Sequence, residues 1–196
     1  MSTLSERIKR GDTAEQLEAH LDELSAEARV TETRALSPQL QRALWALCEG
    51  RAPSLEQLVP EGSTPGEQVR HYGRNTLPVF KMFEKRFCRP PVTRDEGAPL
   101  VLWGYNEGST RSMIGPGYFV CRLAEEGAPG AVVIDYATLP SRAPEGWPAL
   151  QTNERGLSRF VYAYMQDYLR KVSEHVTIGR AYRHGKESPN YFTLCR

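Results

Sequence analysis

The stretch from Gly156 to Arg196 constrains the fold more than any other part of the chain. It reads as an aromatic strand (Phe160, Tyr162, Tyr164), a charged corner (Gln166 to Lys171), a second strand through Val176-Thr177-Ile178-Gly179, and a closing strand from Tyr191 to Arg196. A sequence still patterned as strand at its final residues needs a partner along that strand, because an unpaired edge is open to association with other chains. The expectation is a small barrel or a strongly curled antiparallel sheet.

The first half has a different period. Asp12-Thr13 precedes AEQLEAHLDELSAEAR, where Leu17, Leu21, Leu24 and Ala28 form one apolar stripe of an amphipathic helix. A second helix has Ser37 as its cap, Pro38 at its first position and Gly50 beyond its end, with Leu40, Ala43, Leu44, Leu47 and Cys48 on one face. Residues 51–73 are rich in Pro and Gly and read as a connector with a short turn of helix near Ser54. The spacing of Phe80, Phe83 and Phe87, with Lys81 and Lys85 between them, predicts a third helix over 77–87. Beyond Gly97 the runs become short and β-rich: Leu100 to Tyr105, Ser112 to Leu123 and Ala131 to Tyr136. The segment between Thr138 and Gly156 is too proline-rich for a regular element. The fold class is therefore α+β. A helical region (1–96) packs on an antiparallel, curled or barrel-like, lipocalin-like sheet of about six to eight strands (97–196), the two forming one compact unit.

Bulk properties narrow the function classes. At 196 residues the chain suits one sizeable domain, and with 40% hydrophobic and 25% charged residues it reads as an ordinary globular protein. No apolar run approaches the ~18 residues of a membrane-spanning helix, and residues 1–11 show no secretory signal pattern. Cys48, Cys88, Cys121 and Cys195 are scattered, with no C-x-x-C pair and no histidine at ligand spacing, so reduced thiols, a cytoplasmic location and no metal or cofactor are expected. A net charge of +1 gives no general attraction to nucleic acid. The charge is uneven: residues 70–94 carry seven basic residues against one acid, Glu84. A basic, Phe-bearing helix there suggests peripheral membrane contact through Phe80, Phe83 and Phe87, or a core-facing helix with a solvated edge. The leucine stripes of the first two helices offer a surface for a homodimer or another protein partner.

Three clusters bear chemistry. Gly115-Pro116-Gly117, within the apolar 112–123 run, marks a sheet corner or a close backbone approach, and it lacks the lysine and hydroxyl residue of a phosphate loop. Aromatic residues with polar tips, Trp103, Tyr105, Tyr118, Phe119, Tyr162 and Tyr164, are candidates to line a largely apolar cavity. Arg111 or Arg170 would meet a carboxylate or phosphate head group there. Asp135, Asp167 and His175 are the candidate acid/base residues, although no nucleophile elbow or triad spacing accompanies them. The leading expectation is binding of a small hydrophobic or amphipathic molecule, such as a lipid or fatty acid. The alternative is an isomerase, lyase or hydrolase in which Asp135, Asp167 and His175 converge on one void.

Val161-Tyr162, Asp167-Tyr168-Leu169-Arg170, Val176-Thr177-Ile178-Gly179 and Tyr191-Phe192-Thr193-Leu194-Cys195-Arg196 follow one another in an order that resembles the C-terminal half of an uncharacterised bacterial family of small lipocalin-like proteins. The resemblance covers about a fifth of the chain. The family's other mark, a Gly-x-Trp-x-Gly segment, is represented here by Leu102-Trp103-Gly104-Tyr105, without the leading glycine. The resemblance implies a curled antiparallel barrel with a hydrophobic cavity and no established enzyme activity.

Overall fold

The computed structural model describes residues 2–78, 81–92 and 99–196. Eight strands close into an antiparallel barrel in strict sequence order: β1 (Val69–Asn75), β2 (Met82–Cys88), β3 (Val101–Glu107), β4 (Phe119–Leu123), β5 (Val132–Asp135), β6 (Met165–Ser173), β7 (Val176–Arg183) and β8 (Lys186–Cys195). The closing strand does what its pattern demanded. β8 pairs with β7 on one side and with β1 on the other, with Tyr72 opposite Cys195 and Asn75 opposite Phe192, so no edge remains. His184 and Gly185, at φ 51° and 71°, make the two-residue turn between β7 and β8 whose twist suits a tight hairpin.

Several elements differ from the expectation. Residues 82–88 are strand β2 rather than the end of a helix, and β1 begins at Val69 within the supposed connector. Residues four apart share a face in both a helix and a strand, so Phe83 and Phe87 fit either period. The alternation Phe83, Lys85, Phe87 favoured the strand, and all three point into the barrel. An interfacial helix through Phe80, Phe83 and Phe87 is therefore not formed; Phe80 itself, and the division at 96/97, lie outside the described residues. Within 156–173 the strand also begins later than expected. The one-turn helix α7 (Ser158–Val161) leads into β6, so the charged run Gln166 to Lys171 is strand rather than corner. Gly115-Pro116-Gly117 likewise precedes β4 instead of lying inside a strand, after the one-turn helix α6 (Arg111–Ile114).

The N-terminal helices wrap the outside. They are α1 (Leu4–Arg10), α2 (Ala14–Glu23), α3 (Ala26–Arg34) and α4 (Pro38–Leu47). The helix expected over 14–29 is two helices, because Ser25 caps a new one by accepting from Ala28 N–H. Buried Arg29 then ties the break, donating to the carbonyls of Leu21, Leu24 and Arg196. Ser37 and Pro38 start α4 as their types require. Leu17, Leu21, Leu44, Trp45 and Cys48 pack on the outward faces of Val172, Val176, Ile178 and Tyr191, so most of both leucine stripes faces the barrel wall, while Leu47 stays exposed.

A further turn, α5 (Leu55–Leu58), plugs one end of the barrel with Leu55, Leu58 and Val59. It is fastened by His71 Nε2–H donating to the Leu58 carbonyl (2.8 Å) and by Gln57 Nε2 donating to the Ser173 carbonyl (2.6 Å). No helix among the described residues is long and apolar enough to cross a membrane.

Candidate functional site

The barrel interior is filled by its own side chains, and glycines make that filling possible. A Cβ on Gly104 would stand 2.3 Å from the Phe119 ring, and one on Gly179 would stand 2.2 Å from the Phe192 ring, so each phenyl lies flat on a neighbouring strand's bare backbone. Above α5 come Phe87, Leu102, Cys121, Val132, Ile134, Leu169 and Leu194. The next layer is polar.

Lys85 on β2, Asn106 on β3, Tyr136 just beyond β5 and Asp167 on β6 meet in the middle of this apolar interior, all of them buried. Lys85 Nζ donates to Asn106 Oδ1 (3.0 Å), to Asp167 Oδ2 (3.2 Å) and to the Tyr136 hydroxyl. The Tyr136 hydroxyl lies 3.3 Å from both Asp167 Oδ2 and Asn106 Oδ1, so its single proton is shared between two acceptors. Asn106 Nδ2 donates to the Gly117 carbonyl (2.9 Å), which fixes the amide's orientation. The other carboxylate oxygen, Asp167 Oδ1, is buried with no hydrogen-bond partner among the described residues. Four aromatic rings surround the amine, with Nζ 5.0 Å from the Tyr136 centroid, 5.2 Å from Phe119 and Phe192, and 5.6 Å from Phe83. Burial lowers the Lys85 pKa and raises that of Asp167, while their mutual attraction opposes both shifts. Burial also pushes the Tyr136 hydroxyl well above its ordinary value, reinforced by the Asp167 charge.

Over this layer sits Tyr162, whose ring stacks on Tyr136 at 5.4 Å with 13° between planes. It occupies the space a side chain on Gly117 would need: a Cβ there would be 2.5 Å from the ring, and Gly117 has φ +53°. Tyr162 N–H donates to the carbonyl of Ser158 (2.7 Å), one turn back in α7. Ser158 in turn borders a surface cleft of ≈ 580 Å³ between α6, α7 and the 148–157 segment. Its walls include Arg111, Arg155 and Gln151 beside Met113, Ile114, Leu150 and Leu157. Arg111 is braced by Glu107 (2.8 Å), whereas Arg155 makes no hydrogen bond or ion pair among the described residues. Met113 and Leu157 are largely exposed around the cleft.

The eight residues expected to line one cavity are distributed over several places. Phe119 and Tyr162 belong to the interior, and Arg111 to the cleft. Trp103, Tyr105 and Tyr118 face outward and pack with Trp147 from the proline-rich segment, which covers that side of the barrel. Tyr164, at φ 59°, is exposed and stacks on His184. Arg170 leans on Trp45 at 4.0 Å and donates to the carbonyls of Trp45 and Pro129.

The three acid/base candidates are not brought together. Asp135 is tied to the following turn by Ala137 N–H and lies 3.5 Å from Arg122 on the outer face. His175 sits in the β6–β7 turn, where burial and the nearby Arg196 and Arg29 lower its pKa. Asp167 alone is interior, and its partners Lys85, Asn106 and Tyr136 were not singled out from the sequence. A lysine two residues from a phenylalanine on either side was the available signal, legible only once 82–88 is read as strand.

Protein-family models, curated proteins and solved structures give no match to this chain. The geometry therefore carries the functional reading alone.

Proposed function

We propose that the protein binds a small amphipathic molecule with an anionic head group at the α6–α7 end of its barrel. The observation that carries this reading is the ≈ 580 Å³ cleft, which sets Arg111 and Arg155 beside an apolar wall of Met113, Ile114, Leu150 and Leu157. Guanidinium groups suit carboxylates and phosphates, which they hold through charge-assisted, often bidentate hydrogen bonds. A concavity that sets polar and cationic groups beside an apolar wall suits an amphipathic molecule. With the barrel interior occupied, the ligand's apolar body lies along the cleft and reaches inward only where Tyr162 gives way.

Native mass spectrometry of the freshly purified protein, followed by denaturing extraction, tests for a resident molecule. Titration with dodecanoate and with dodecyl phosphate then tests the head group. Saturable binding weakened at least about tenfold in Arg111→Gln/Arg155→Gln would support the assignment, the loss expected for a charge-assisted hydrogen bond. Equal affinity of that variant and the unaltered protein would remove the cleft as the head-group site.

A further inference from the structure

We propose that Lys85 is a reactive amine which forms an imine with a small carbonyl compound admitted beneath Tyr162, with Asp167 as its proton donor and acceptor. The proposal rests on the α6–α7 end being the way in, and adds an activity to the binding reading above.

The arrangement is more elaborate than packing requires. A buried ion pair stabilises a fold little more than apolar side chains of the same volume would, so stability alone does not account for a lysine in the centre of a barrel. This lysine has the parts that amine chemistry uses. Its nitrogen is enclosed by four aromatic rings, which exclude water; the loss of hydration disfavours the ammonium, and the attraction of the ring faces only partly offsets it. A carboxyl group stands 3.2 Å away, and a tyrosine hydroxyl bridges the two. Asn106, locked by the Gly117 carbonyl, holds the amine in place. Asp167 Oδ1, buried and unpartnered, is the position where a hydroxyl group formed on the reacting carbon would find an acceptor.

The steps balance without any further reagent. With the pair in its neutral form, amine and carboxylic acid, the Lys85 nitrogen lone pair adds to the carbonyl carbon. The C=O π electrons move to oxygen, and proton transfer from nitrogen gives a neutral carbinolamine. Asp167 then protonates the carbinolamine hydroxyl, water leaves, and the nitrogen lone pair forms the C=N bond. The product is an iminium cation facing the Asp167 carboxylate. The Lys85–Asp167 ion pair is replaced by an iminium–carboxylate pair in the same place, so the interior never holds an uncompensated charge. Such an iminium withdraws electrons from the adjacent carbon, which is the basis of aldol, decarboxylation and isomerisation chemistry.

The sequence makes the test clean, because the chain has only five lysines: Lys9, Lys81, Lys85, Lys171 and Lys186. The protein is incubated at pH 7 with benzaldehyde or pyruvate and sodium cyanoborohydride, and the modified lysines are located by peptide mass mapping. The same is done with Tyr162→Ala, which uncovers the layer, and with Asp167→Asn, which keeps the shape and removes the acid. Thermal unfolding of each variant establishes that it is folded.

The expected result is modification of Lys85 at least about tenfold faster than of the other four lysines, the mark of an amine activated by its surroundings. It should be faster still in Tyr162→Ala and slower in Asp167→Asn. Modification of Lys85 in Tyr162→Ala alone would support the amine chemistry and show that these probes do not pass the tyrosine. A Lys85 that stays unmodified in the unaltered protein and in folded Tyr162→Ala, while Lys9, Lys81, Lys171 and Lys186 react, would overturn the proposal. Dodecanoate titration of the same samples reports on the cleft separately, so a failure of the amine and a failure of the binding site are told apart.

Discussion

Lys85 Nζ and Asp167 Oδ2 lie 3.2 Å apart in the barrel interior, on strands β2 and β6, which are not neighbours in the sheet. The contact therefore spans the barrel rather than running along its wall, and only closure of the sheet brings the two together. Removing one partner leaves the other charge buried and unpaired.

A mutant cycle on this pair should be strongly non-additive. Lys85→Met or Asp167→Leu alone is expected to cost about 3–5 kcal/mol, whereas the double variant should recover most of that loss. Urea denaturation of the four proteins measures it. A double variant less stable than either single one would mean that the polar layer is itself a principal source of stability.

Acid should weaken the fold through His71. Its imidazole is fully buried and donates to the Leu58 carbonyl, and burial brings its pKa down to about 4 from an ordinary 6.5. A depressed pKa means that the unfolded chain takes up the proton first. The contribution is complete above pH 6.5 and is lost as pH falls towards about 4, amounting to roughly 3 kcal/mol. His71→Gln retains a donor but does not titrate, so its stability profile should be flatter than that of the unaltered protein across this window. Parallel profiles would assign the acid sensitivity to other groups.

Gly117→Ala should loosen the cover of the polar layer. The new methyl group would meet the Tyr162 ring at 2.5 Å, and the backbone at φ +53° is unfavourable for any residue with a side chain. Tyr162 is expected to swing out and become open to nitration by tetranitromethane, with exposed Tyr164 as the internal standard. A Tyr162 that remains protected in the folded variant would show that the barrel end is held by more than this packing.

Arg170→Ala should affect stability and leave binding alone. The side chain links β6 to α4 and to the β4–β5 loop through the Trp45 and Pro129 carbonyls, and it stacks on the Trp45 ring. Its loss is expected to cost about 1–3 kcal/mol, with dodecanoate affinity unchanged. A loss of affinity with unchanged stability would instead place Arg170 at a ligand, as its position in the sequence suggested.

Several parts of the molecule were legible from the sequence alone because they follow from local rules. Ser37 and Pro38 start a helix by their own hydrogen bonding and backbone geometry, and the strand pattern of Tyr191–Cys195 demanded partners on both sides. The α+β class and a curled or barrel-like antiparallel sheet follow from such signals. The period of 82–88 did not, because Phe83 and Phe87 share a face in a helix and in a strand alike. Nor did the break at Ser25, where a capping hydroxyl interrupts an otherwise continuous apolar stripe. The polar layer lay further out of reach. Lys85, Asn106, Tyr136 and Asp167 are spread over more than eighty residues on four separate segments, and no spacing rule connects them. Each alone reads as an ordinary polar residue near the end or middle of a strand. Barrel closure turned all four to the same side, and the surrounding phenylalanines, seated on Gly104, Gly179 and Gly73, excluded water from them. The sequence by itself thus determined where helices start, that the part beyond Gly97 is strand-rich, and which faces of those elements are apolar. The tertiary structure alone decided which few polar groups are enclosed together, since that depends on the handedness and circumference of a closed sheet rather than on any local run of residues.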